Sequence, residues 1–189
     1  MKRAALLLLL AGCPAGDGRV HTASWTLDGV LDGDRTVDDR AGGRVTCTVD
    51  SDPSNPLDSR PILTFAAVAS QDGRRQPGVY FTVHDFRGLG FYRIGAGTQD
   101  NRGHAVVFDE ALLPECAASD DTSCYQATEG CSIQVDSWDL GAVVAPGVRY
   151  GEVTGRFECE RMEDAAGDRG LALTLGVFSC RASDWTPSR

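Results

Sequence analysis

The sequence predicts an all-β fold, an antiparallel β-sandwich of jelly-roll or immunoglobulin-like type with about nine strands, stapled by disulfides. Three observations carry this. Apolar residues recur with period two in short runs, the spacing that puts alternate side chains on one face of a strand. Turn segments such as DGDR, DPSNP, QDGRRQPG and AAGDRG separate the runs at intervals of roughly 10 to 20 residues. Helical periodicity is almost missing: only Glu110 to Ala117 could form a turn or two, and Pro114 cuts it short.

In chain order the expected strands are Ser24 to Leu31, Arg44 to Val49, Ile62 to Ala69, Gly78 to His84, Gly90 to Ile94, His104 to Phe108, Cys131 to Trp138, Arg149 to Glu160 and Gly170 to Arg181. The segment His84 to Gly95, HDFRGLGFYRIG, sets two glycines around one apolar residue with aromatics on both sides. That pattern predicts a sharp bend that lets another backbone approach closely. Gly151 to Cys159, GEVTGRFEC, is echoed by Gly176 to Cys180, GVFSC, with Phe and Cys two apart in each copy. Phe157 and Cys159, like Phe178 and Cys180, should therefore face the core from the two arms of a long hairpin.

The 189 residues suggest one domain, and 42% hydrophobic with 24% charged residues supports a packed core rather than disorder. A net charge of -9 argues against nucleic acid as a partner, since phosphate neutralisation needs clustered basic residues. No lysine follows Lys2, which removes lysine-nucleophile chemistry.

The first residues read as an address. Lys2 and Arg3 precede the apolar run Ala4 to Ala11, which is too short to span a bilayer, and the run ends on Leu10-Ala11-Gly12-Cys13. LAGC resembles the bacterial lipobox. The resemblance implies that 1–12 is a lipoprotein signal peptide and that Cys13 becomes an acylated first residue anchoring the chain to a membrane. Pro14 after the cysteine favours the outer membrane of a two-membrane cell. The alternative is an ordinary secretory signal with an incidental cysteine. Residues 13–23 then form a flexible tether and 24–189 the single β domain.

Six cysteines remain: Cys47, Cys116, Cys124, Cys131, Cys159 and Cys180. An even number in an exported chain reads as three disulfides. Cys116, Cys124 and Cys131 can make at most one bridge among themselves, so at least one must reach Cys47, Cys159 or Cys180. Zinc is the weaker reading because no CxxC pair is present.

Phe86, Gly88, Gly90 and Tyr92, followed by Gly151, Gly155, Phe157, Gly176 and Phe178, together with the lipobox, resemble a loose class of small exported bacterial lipoproteins. Their β-sandwich domains carry an aromatic-x-Gly-x-Gly-x-Tyr bend and paired Gly-x-Phe strands. The resemblance implies fold and address and carries over no functional residue.

Catalytic patterns are weak. There is no GxSxG elbow, and His84 and Asp85 are neighbours on a strand, where they would point to opposite faces. His21, His84 and His104 show no metal-binding spacing, and His21 falls in the tether. Calcium is the more serious cofactor candidate: Asp32, Asp34, Asp38 and Asp39 share one loop, and Asp50, Asp52, Asn55 and Asp58 another, though neither fits the DxDxDG pattern. Trp138 and Tyr125 are the aromatic candidates for binding, with core capping the competing role for Trp138. The expected function is a lipid-anchored envelope protein that binds or scaffolds an unknown envelope protein or glycan, without catalysis and without a required cofactor. A calcium-dependent glycan-binding module and a secreted hydrolase are the alternatives.

Overall fold

The computed structural model describes residues 19–51, 61–69, 78–94, 103–108, 125–139, 141, 143–145, 148–149, 151–163 and 170–183. These form twelve strands and, among the described residues, no helix: β1 Thr22–Gly29, β2 Gly33–Asp38, β3 Arg44–Ser51, β4 Pro61–Val68, β5 Gly78–His84, β6 Gly90–Ile94, β7 Gly103–Phe108, β8 Tyr125–Asp139, β9 Val143–Ala145, β10 Val148–Arg149, β11 Gly151–Glu163 and β12 Gly170–Ser183. Ten belong to one sheet, and β9 and β10 form a separate pair.

The all-β expectation holds, but the hydrogen bonding does not divide the strands into two facing sheets. The order β11-β8-β7-β5-β4-β3-β12 returns to its start because β12 also pairs with β11, so the sheet is nearly closed and barrel-like. Three long strands make this closure possible. One edge of β12 runs along β11, while the other is shared between β1, on Leu171 to Ser179, and β3, in parallel on Arg181 to Ser183. β8 divides its second edge in the same way, between β7 and β6. Register breaks in β12 and β11 mark bulges, which bend strands and increase local twist, the curvature a rolled sheet needs.

The interior is apolar and aromatic. Phe65 stacks on Phe178 at 4.4 Å between centroids, and Phe157 lies 5.1 Å from Phe81, 5.3 Å from Phe65 and 6.3 Å from Trp25. Outward positions on β8 and β11 carry Gln134, Asp136, Arg156 and Glu158. This is the inverse of a membrane-spanning barrel, whose apolar band faces outward.

The Gly-x-Phe echo has a cross-strand cause. Gly155 pairs with Phe178, and Phe157 with Gly176, so each ring lies over the glycine of the opposite strand. A Cβ at Gly155 would stand 2.6 Å from the Phe178 ring and 2.2 Å from the Gln134 carbonyl oxygen. One at Gly176 would meet the Phe157 ring at 2.6 Å. The hairpin forms as expected, from Gly151 opposite Ala182 to Glu163 opposite Gly170, with Phe157, Cys159, Phe178 and Cys180 all buried.

Two disulfides are present among the described residues. Cys131–Cys159 joins directly opposed residues of β8 and β11, and Cys47–Cys180 joins β3 to β12 across the parallel seam. The first meets the requirement that one of the three clustered cysteines reach a distant partner. Cys116 and Cys124 lie outside the described residues, as does the expected turn at Glu110 to Ala117. The two bonds fit an oxidising compartment.

Several boundaries move. β1 begins at Thr22, so Thr22 and Ala23, read as tether, belong to the sheet, and His21 is buried with its carbonyl oxygen accepting a hydrogen bond from the Asp39 amide at 3.1 Å. β2 stands where a loop was expected, and β8 reaches back to Tyr125.

Candidate functional site

The outer face of β6, β8, β11 and β12 holds the most distinctive chemistry. Register places Phe91, Gln134, Arg156 and Val177 in one lateral row across the four strands. At one margin Phe91 is 56% exposed; at the other, Leu175 is 81% and Val177 47% exposed. Between them lies a shallow depression of about 470 Å³, floored by Ser132, Gln134, Arg156 and Glu158.

Leu175 is outside because of a bulge. Leu171 and Leu173 point inward, but Leu173 pairs with Cys159 and Gly176 with Phe157, so β12 holds one residue more than its partner between those positions. Thr174 and Leu175 both turn out, and Leu175 adopts a left-handed φ of 52°. A non-glycine residue in that region costs of order 1–3 kcal/mol, a strain that concentrates at functional positions.

The floor is polar and internally paired. The Arg156 guanidinium donates through Nε to Asp136 Oδ2 at 3.1 Å and through Nη2 to Asp136 Oδ1 at 3.2 Å; Gln134 Nε2 donates to the same Oδ1 at 2.7 Å. The hydrogen bonds and charge of Arg156 hold the Asp136 carboxyl below its ordinary value. The Ser132 hydroxyl, almost wholly buried, donates to Glu158 at 3.4 Å. Apolar margins flanking a planar charged pair make a surface that can recognise a ligand with both an apolar body and hydrogen-bonding groups.

A second feature adjoins this face, the bend between β5 and β6. Asp85 takes a φ of 56°, Gly88 of 94° and Gly90 of 149°. The expected close backbone approach is absent: a Cβ at Gly88 would meet nothing within 4 Å, and one at Gly90 would be 4.0 Å from the Tyr92 ring. The glycines are needed for their dihedral angles, not for space. The Tyr92 hydroxyl ties the turn by accepting from the Arg87 amide at 3.1 Å and donating to the Gly88 carbonyl at 2.7 Å. Phe86 is buried against Tyr92 and Trp138, at centroid distances of 5.5 and 5.1 Å.

The residues singled out in sequence fall in scattered places. Trp138 is half-buried and packs on the core, the capping role. Tyr125 opens β8, opposite Val107. Asp85 pairs with Arg87 at 2.6 Å, so its carboxylate engages a guanidinium within the bend. Asp34 and Asp38 belong to β2 rather than a loop, and Asp34 Oδ1 accepts from Thr26 Oγ1 at 2.7 Å, while the Asp32 backbone carbonyl faces Arg35. Asp50 sits in β3 opposite Ile62; Asp52 and Cys13 lie outside the described residues. Among the described residues no three His, Cys, Asp or Glu side chains gather as a metal site. Sequence reading missed Phe91, Arg156, Leu175 and Val177. One signal was present: core-type residues in β12 change phase, from Leu171 and Leu173 to Phe178 and Cys180, which announces a bulge between.

Comparison with known proteins finds no matching family, no similar curated protein and no similar solved structure.

Proposed function

We propose that this chain is an exported, lipid-anchored binding module of the cell envelope that acts by recognition rather than catalysis, through the outer face of β6, β8, β11 and β12. The observation carrying this is the strained, outward Leu175 with Phe91 and Val177 around the Arg156–Asp136 pair. The bulge serves the curvature of the sheet but does not call for a leucine at its left-handed position, so an 81% exposed Leu175 beside Phe91 and Val177 supports a surface that a partner covers. Anchoring through Cys13 is supported by the LAGC resemblance, and the two disulfides agree with export. Tethering raises the local concentration of this face near its partner, an envelope protein or glycan, so modest affinity suffices.

The test is site-specific photo-crosslinking in cells. A crosslinker replacing Leu175 should capture a defined partner, and one replacing Thr64 on the distant β4 should not. Equal capture from both positions, or none from Leu175, would sink the assignment. Intact mass of the membrane-extracted protein, beginning at Cys13 with added acyl chains, checks the anchor independently.

A further inference from the structure

We infer that the β5–β6 bend is a membrane-docking element, with Leu89 resting in the headgroup region of the bilayer that holds the acyl chains on Cys13. The inference rests on the lipid-anchor reading and adds an orientation to it.

Placement is the first ground. Arg19, where the tether reaches the barrel, pairs with Glu152 at 3.3 Å. The next residue, Val153, is paired with Trp138, whose ring packs on Phe86 in the bend. Tether root and bend thus share one end of the barrel. Six peptide units separate Cys13 from Arg19, a reach of at most about 22 Å, so this end must stay close to the anchoring bilayer.

Construction is the second. Leu89 is 63% exposed at the tip of a turn pinned by both hydrogen bonds of the Tyr92 hydroxyl and by the Phe86 amide donating to the Pro61 carbonyl at 2.9 Å. A rigid turn presenting a leucine loses little conformational freedom on insertion. Arg87, Arg93 and His84 lie around the bend together with Asp85, whose carboxylate pairs with Arg87. Asp85 offsets Arg87, so Arg93 supplies the charge suited to a lipid phosphate, with the Leu89 side chain seated just below it. The face bearing Leu175 and Val177 then stands to the side of the bilayer, open to a partner.

The experiment uses acylated full-length protein in vesicles of phosphatidylethanolamine and phosphatidylglycerol, part of it carrying brominated acyl chains. Leu89→Trp should show tryptophan quenching roughly twofold above the unsubstituted protein, and Thr64→Trp should show no such excess. Adding Arg93→Glu should lower the excess at Leu89→Trp. Protein that floats with the vesicles while Leu89→Trp and Thr64→Trp are quenched alike would overturn the docking and leave the anchor standing. Protein of unacylated mass that does not float would remove both.

Discussion

Around the barrel, neighbouring strands are joined to very different extents. Among the described residues β11 pairs with β8 at eleven positions and with β12 at ten, whereas β12 meets β3 at three and β7 meets β8 at two. Cys131–Cys159 lies within the longest ladder, where it repeats a connection already made by hydrogen bonds and side-chain packing. Cys47–Cys180 lies at the parallel seam, where three pairs among the described residues join the strands. The difference teaches that closure of this sheet depends on covalent bonding at one place and on hydrogen bonding at others.

The largest expected effect follows from that contrast. In the chain-entropy view, a bridge spanning 133 residues restricts the unfolded chain by about 5 kcal/mol, and one spanning 28 by about 3.5 kcal/mol. The seam adds to the gap, because opening it also frees β3 from β12. Replacing Cys47 and Cys180 with alanine should lower the urea midpoint more than replacing Cys131 and Cys159, the other bridges kept intact. Equal midpoints would break the comparison.

Next come the glycines. Gly155→Ala should cost about 2–3 kcal/mol, since its Cβ would meet the Gln134 carbonyl and the Phe178 ring in the tightest ladder. Gly88→Ala, with open space and a φ of 94°, should cost about 1 kcal/mol from backbone strain alone. Thermal unfolding of both variants separates the two causes. A smaller loss at Gly155 would mean that the β8–β11–β12 region yields more than its pairing implies.

Hydrogen exchange sharpens the comparison at residue level. Amides at the two-pair contact of β7 with β8, near Val106 and Val107, should exchange faster than those of Phe157 and Glu158 in β11. Uniform protection around the ring would show that the short seams are as cooperative as the long ladders.

The same unevenness decides what could be read from sequence. β5 and β6 match their expected bounds because each run of alternation ends at a turn or a glycine. β2 was hidden: on its inward side only Val37 is apolar, with Arg35 sharing that side, so Asp34 and Asp38 read as a polar loop. The expectation of two sheets failed because closure runs through a parallel seam between β3 and β12, three pairs long among the described residues, and no local pattern in either strand encodes a contact of such separation. Phe157 and Phe178 were legible as core from their spacing. The outward face was not, because a single extra residue in β12 turns Leu175 from the side its alternation predicts to the opposite one.

The smallest expected effect belongs to the Arg156–Asp136 pair, which crosses the longest ladder on its solvent side. Hydrogen bonding by Arg156 lowers the folded-state pKa of Asp136, so its contribution to stability is fully present above the ordinary carboxylate value and is lost as pH falls through the lowered one. The unfolding midpoints of wild type and Asp136→Asn should therefore differ slightly near neutral pH and converge on acidification below about pH 4, with added salt reducing the neutral difference. A large difference at neutral pH would mean that the charged floor supports the ladder beneath it. A small one leaves the pair available for recognition, since a bidentate guanidinium–carboxylate unit that contributes little to folding can exchange partners with a ligand at low cost.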